Sequence, residues 1–238
     1  MTTELERRHF IQSAGLLAGA AATGFASPAW AQSAQPTGAK PMTYQAKPLS
    51  LDPKSIKGIS EKVLVSHYEN NYVGAVKRLA AIEAQLAGLD PATAPGFVLN
   101  GLKRESLIAW NSMTLHELYF AGLGTGGAST PSAALGAALE RSFGSHARWA
   151  AEFSAMGKAL GGGSGWVVLA WSPRDRRLTN QWAADHTMSL AAGAPLLALD
   201  MYEHAYAMDY GAKAAAYVDA VMKVIGWGHA NAQFAKLG

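Results

Sequence analysis

Hydrophobic and polar positions alternate along this chain with two different periods, and the change of period divides it. From Ser60 to about Ala87, apolar residues recur at helical spacing, with Ser60 placed as an N-cap and Glu61 near the positive helix end. Gly88 and Pro91 stop that helix, Pro95 and Gly96 lie in a loop, and a second helix is predicted over Lys103 to Ala121. Two shorter helices follow, Ser132 to Ser142 and His146 to Leu160. After Gly161-Gly162-Gly163 the pattern turns to strands. Trp166 to Trp171 is apolar and β-favouring, Pro173 to Arg176 is a charged turn, Arg177 to Ala183 is a second strand, and Pro195 to Leu199 is a third. Helices return over Glu203 to Asp209 and Ala212 to Ile225. The fold class is α+β: an N-terminal helical hairpin, then an α/β domain with a small three-stranded antiparallel sheet.

Punctuation along the chain suggests its organisation. Residues 1–31 read as an export signal, 32–48 as an extended, loosely held linker rich in Pro, Ala, Gln and Ser, 49–130 as the helical-hairpin domain and 131–238 as the C-terminal α+β domain. The Gly/Ser/Thr-rich run from Gly122 to Pro131 separates the two halves. At the N-terminus, Arg7-Arg8-His9-Phe10-Ile11, an uncharged Ala/Gly/Leu stretch from Ala14 to Ala26 and the small-x-small triplet Ala29-Trp30-Ala31 resemble a twin-arginine export signal. That resemblance implies a periplasmic or extracellular protein, with no membrane association once the signal is removed.

Composition narrows the chemistry. The chain has 238 residues and no cysteine, which excludes disulfides, thiolate metal sites and thiol nucleophiles. A metal must therefore be held by imidazole and carboxylate, a set suited to iron, manganese or zinc. A formal charge of +3 is too weak to indicate nucleic acid, though it suits a small anionic substrate.

Of seven histidines, His67 and His116 sit inside the two long helices. A lone helical histidine is more often a satisfied core residue than a ligand. The segment Leu199-Asp200-Met201-Tyr202-Glu203-His204 changes those odds, because Asp200 at a strand end and His204 in a first helical turn point into one gap. By spacing alone, an N-capping Asp200 and a helix-end His204 remain an equal alternative.

Asp200-Met201-Tyr202-Glu203-His204-Ala205-Tyr206, with Asp209-Tyr210 downstream, resembles the C-terminal signature of the iron/manganese superoxide dismutases. Ser66-His67-Tyr68, His116 with Tyr119-Phe120, Ser142-Phe143-Gly144-Ser145 and Gly163-Ser164-Gly165-Trp166 match further landmarks of that family in order, over about Leu49 to Phe234. The resemblance implies one iron or manganese ion per chain held by His67, His116, Asp200 and His204, with superoxide as substrate. It places Trp166 and Tyr202 in the lining of the metal pocket, Tyr202 standing where the family usually has tryptophan. It also implies a homodimer in which Glu203 reaches the partner subunit's His204. The four ligands are the same for both metals, so the sequence leaves iron against manganese open, and dimer against tetramer as well.

Departures from the family pattern cluster around the site. In ungapped alignment the usual gateway tyrosine falls on Ala75, and the usual histidine four residues after the first ligand falls on Asn71. That histidine's usual cross-dimer partner falls on Ala207. The glutamine four residues before the second ligand is Ser112. In the loop Ala184-Asp185-His186-Thr187, His186 is expected to take the glutamine's role, the small Ser112 leaving room for it; a solvated loop histidine is the alternative. Lys77 and Arg78 read as a solvated helix face, and His146 and His229 as surface residues. The competing functional class is a dismutase-fold protein that binds metal, or serves structurally, without dismutation. A zinc hydrolase fits less well, because no general base is placed as in H-E-x-x-H.

Overall fold

A computed structural model of the chain describes residues 42–124 and 128–237. Residues 1–31, expected to be an export signal, most of the linker and residues 125–127 of the glycine-rich run lie outside the described residues. Element order follows the predicted order closely. Helix α1 (Glu61–Ser66) is capped by the Ser60 hydroxyl, which accepts from the Val63 amide, and the same helix axis continues through a π-helical turn (His67–Tyr72) into α2 (Val73–Ala87). In the π turn the Val73 amide bonds to the Tyr68 carbonyl, five residues back, so the turn holds one residue more than an α-helix would.

Helix α3 (Gly96–Ala121) starts seven residues before the predicted Lys103. The Pro95 carbonyl accepts from the Val98 and Leu99 amides, so the proline stands just ahead of the first turn, where its missing N–H costs nothing. Reading Pro95-Gly96 as loop overlooked that a proline can begin a helix as readily as end one.

Helices α4 (Ala133–Phe143) and α5 (His146–Ala159) meet at Gly144-Ser145. Gly144 adopts φ +86°, which closes α4, and the Ser145 hydroxyl caps α5 by accepting from Arg148. The sheet then forms in the order β2-β1-β3, all antiparallel, from β1 (Trp166–Ser172), β2 (Arg177–Ala183) and β3 (Ala194–Asp200). Every residue of β1 is buried, as a central strand with both faces covered requires, whereas the edge strand β2 leaves Trp182 exposed. The register sets Trp166 opposite Ala183 on one side and Asp200 on the other. One end of the sheet thus collects Trp166, Asp200 and the loop that leaves β2.

After β3 the expected helix over Glu203 to Asp209 divides. A single 3-10 turn (Glu203–Ala205) is followed by the short α6 (Ala207–Tyr210), then α7 (Ala214–Lys223) and α8 (Gly228–Phe234). The amide and hydroxyl of Ser60 both donate to the Asp209 carboxylate, which ties the start of α1 to α6. Helix α8 was not predicted: Gly226, Gly228 and Asn231 interrupt its apolar pattern, and packing of Trp227, Ala230 and Phe234 into the core forms it. The linker is extended but not loose where it is described. Lys47 donates its amide to Tyr72, accepts from Tyr68 through its carbonyl, and pairs with Glu117. No helix among the described residues is long and apolar enough to cross a membrane.

The core runs without a break from Val63, Leu64 and Leu79 through Leu118 and Phe120 to Leu169, Leu199 and Val218. Ala75 lies inside it, and Asn71 is half-buried in the π turn.

Candidate metal centre

Four elements deliver one ligating side chain each to one buried point. His67 comes from the π turn, His116 from the last third of α3, and Asp200 and His204 from the end of β3 and the turn after it. One ligand atom from each lies within 4.8 Å of all the others. The Asp200 Oδ2 is 3.1 Å from His67 Nε2, 3.2 Å from His204 Nε2 and 3.6 Å from His116 Nε2. Ligands about 2.0–2.2 Å from a common cation stand roughly 3 to 3.5 Å from each other, so these spacings are those of a coordination sphere. His67, His116 and Asp200 are completely or almost completely buried, while His204 keeps about a quarter of its side chain exposed (27%).

Hydrogen bonds fix which atoms face the centre. The His116 Nδ1–H donates to the Ser112 carbonyl at 2.6 Å, leaving the lone pair on Nε2. Asp200 accepts the Tyr202 amide on Oδ1 at 2.8 Å, leaving Oδ2 toward the imidazoles. Among the described residues, the buried side-chain nitrogens with no hydrogen-bonding partner are His67 Nδ1, His116 Nε2, Trp166 Nε1 and His186 Nε2. All four belong to rings in mutual contact: His67 and His116 at 4.9 Å, His116 and Trp166 at 5.2 Å, Trp166 and His186 at 5.7 Å between centroids. Folded proteins rarely leave buried polar atoms unpaired, and still more rarely in one place. A cation at the point where His67 Nε2 and Asp200 Oδ2 meet would satisfy His116 Nε2, whereas His67 Nδ1 faces away from that point and Trp166 Nε1 needs an acceptor.

Electrostatics favour metal over protons. Burial, with His67 as a second cause, lowers the His116 pKa to about 3 against the opposing pull of Asp200. Burial also lowers His67, although its hydrogen bond to Asp200 opposes the shift. Asp200 is held well below the usual carboxylate range, because its hydrogen bonds with His204 and His67 outweigh the burial that would raise it. An ionised carboxylate therefore stands beside His67 and His116, two imidazoles whose burial favours the neutral, lone-pair-bearing form.

The other residues singled out in the sequence also arrive here. Trp166 stands edge-on to His116. Tyr202 lies between two parallel imidazoles, His204 at 5.3 Å and 16° and His186 at 5.0 Å and 12°. His186 is half-buried rather than solvated, with Nδ1 3.3 Å from the Tyr202 hydroxyl, and burial lowers its pKa. Ser112 uses its carbonyl, not its hydroxyl, as the firm contact to His116. Glu203 is exposed beside His204. His146 is exposed as expected, but His229 is not a free surface residue. It lines a cavity of about 220 Å³ with Lys47, Tyr68, Tyr72, Glu117 and Phe120, and Phe120 lies between that cavity and His67. Arg78 and Lys77 are exposed, Arg78 pairing with Glu105.

Tyr119 and Phe120, read in the sequence only as the residues following His116, pack their rings on His67. Sequence reasoning missed two contributors. Tyr217 donates to the buried Tyr119 hydroxyl at 3.1 Å. Asn111 donates its amide to the His186 carbonyl at 2.7 Å. Its signal was a polar residue next to Ser112 on the helix that carries a ligand.

The fold and site define a mononuclear metalloprotein whose helical pair and sheet-bearing half each give two ligands. Residues 131–233 match the iron/manganese superoxide dismutase C-terminal domain. The chain is 66% identical over 194 residues to a superoxide dismutase [Fe] of Cupriavidus metallidurans, covering 82% of this chain and 98% of that protein. It is 33% identical to a superoxide dismutase [Fe] of Aquifex aeolicus (78% of this chain, 89% of the relative). It is 31% identical to a superoxide dismutase [Mn] 1 of Halobacterium salinarum (80% and 94%). The chain belongs to the iron/manganese superoxide dismutase family.

Proposed function

We infer that this protein is a superoxide dismutase that uses one iron ion held by His67, His116, Asp200 and His204. The observation that carries this reading is the convergence of those four side chains, one ligand atom from each within 4.8 Å of the others, with His116 Nε2 otherwise unpaired. The 66% identity to a protein named for iron supports iron over manganese. When bound, the ion supplies a couple between trivalent and divalent states, oxidising one superoxide to dioxygen and reducing a second, with two protons, to hydrogen peroxide.

The chain's own contribution is to hold, orient and exclude. Three imidazole ligands and one carboxylate would leave a low net positive charge on the ion in both states, which favours a small anion. The Ser112 carbonyl fixes the His116 tautomer, and the Tyr202 amide keeps Asp200 to one ligating oxygen. Tyr119, Phe120 and Trp166 exclude water from the sides. His186 carries the donor that tunes the metal, as its unpaired Nε2 beside Trp166 and His116 suggests.

Metal analysis and a superoxide assay on purified protein test the reading. Near one iron per chain with dismutation is expected, and metal-replete protein without dismutation would instead favour a metal-binding protein of the same fold. His186→Ala should keep its metal and lose about 10-fold in activity; loss of metal would make His186 a ligand.

Two finer features complete the proposal. Exposed Glu203 beside partly exposed His204 supports a homodimer in which Glu203 meets the partner subunit's His204, so sedimentation should give twice the chain mass. Arg7-Arg8 and Ala29-Trp30-Ala31 support export through the twin-arginine pathway. Replacing both arginines with lysine should retain the full-length precursor in the cytoplasm, as read by cell fractionation.

A further inference from the structure

We propose that Asn111 is a positioning residue that sets the height of His186 above the metal centre by tying its main chain to the helix carrying His116. The inference rests on the reading of His186 as the tuning donor.

His186 belongs to the irregular stretch between β2 and β3, whose other ties are mostly local. The Asp185 carboxylate accepts the Thr187 amide at 2.7 Å, and the Gln181 side chain accepts the Leu190 amide at 2.8 Å. These shape the loop without fixing its distance from the ligands. Asn111 does fix it: its Nδ2 donates to the His186 carbonyl at 2.7 Å across 75 residues of sequence. Asn111 lies five residues before His116 on α3, so one rigid helix sets both the ligand and the carbonyl of the residue that overlooks it. Stacking on Tyr202 fixes the tilt of the His186 ring, and the Tyr202 hydroxyl, 3.3 Å from Nδ1, restrains one edge of it. The amide clamp adds a restraint on the His186 main chain, and with it the unpaired Nε2 is held near Trp166 and His116.

A shift of about 1 Å in a group tuning a metal is enough to change its effect. Asn111→Asp has the same shape, but its carboxylate cannot donate to a carbonyl. The experiment compares metal-loaded full-length Asn111→Asp, Asn111→Ala, His186→Ala and the Asn111→Asp/His186→Ala double variant. It reads metal content, reduction potential of the bound ion and melting temperature. Both Asn111 variants are expected to retain metal and to move the potential in the same direction as His186→Ala. The double variant should match His186→Ala alone, because the clamp has nothing left to position. Asn111→Ser, which keeps a short hydroxyl donor, should fall between wild type and Asn111→Ala. If His186→Ala moves the potential and the folded Asn111 variants lower only the melting temperature, Asn111 is a structural residue and the proposal fails. If His186→Ala leaves the potential unmoved, the reading of His186 fails first, and the clamp has no function to serve.

Discussion

The floor and the roof of the metal centre are built in opposite ways. The floor consists of His67, His116 and Asp200, each buried and each set by regular backbone: a helical turn, a long helix and a strand end. The roof is the irregular loop around His186, half-exposed and held by individual hydrogen bonds. Regular elements fix side chains through many shared backbone bonds, whereas a loop depends on a few. The difference teaches that capturing a metal and adjusting it are separable tasks in this molecule, given to parts of unequal rigidity.

Attacking the floor should have the largest effect. His116→Ala removes one of four ligands and is expected to lower metal affinity by at least about 100-fold, with dismutation lost in parallel. Metal content after dialysis measures it. Retention of a full metal complement would erase the distinction between the two regions.

Gly165→Ala strikes the point where floor and roof join. Gly165 adopts φ +132°, its carbonyl accepts the Met201 amide next to Asp200, and an added Cβ would stand 2.3 Å from the Ala183 carbonyl. We expect about 2–4 kcal/mol of destabilisation in denaturant unfolding, because both strand ends must move.

Acid sharpens the comparison on metal-free protein. His116 titrates near pH 3 in the fold and near 6.5 in the unfolded chain. Between those values the unfolded chain binds a proton that the folded one refuses. The associated stability is complete above pH 6.5 and is lost as pH falls through that window, at up to about 1.4 kcal/mol per pH unit for one such imidazole. Urea unfolding at pH 7 and pH 5 checks this, and equal stabilities would contradict it.

The smallest effect is expected at the exposed Arg78–Glu105 pair. Arg78→Ala should change stability by less than about 1 kcal/mol and leave metal content intact. Thermal unfolding provides the measurement.

How much of this was legible follows the same division. The floor was readable because strand and helix patterns are strong: Ser60 caps the first helix as expected, and β3 extends one residue beyond each end of the strand expected over Pro195 to Leu199. The motif around Asp200 supplied what periodicity could not, since only tertiary structure brings residue 67 to residue 200. The start of α3 was missed because proline and glycine signal an end and a beginning alike. Helix α8 went unread because it owes its formation to packing rather than pattern. In the roof, His186 was legible through the resemblance, as the residue expected to take the missing glutamine's role, but Asn111 was not, because its function lies in a bond to another residue's main chain.

The π-helical turn at His67–Tyr72 has one more consequence. By accommodating an additional residue inside a continuous rod, it rotates everything downstream by about 100° relative to an uninterrupted helix. Counting along the chain across that turn therefore compares different sides of the rod. Ala75 occupies the eighth place after His67 in number, yet it sits in the interior packing. Positional correspondence with relatives that lack such a turn holds up to His67 and has to be re-indexed after Tyr72.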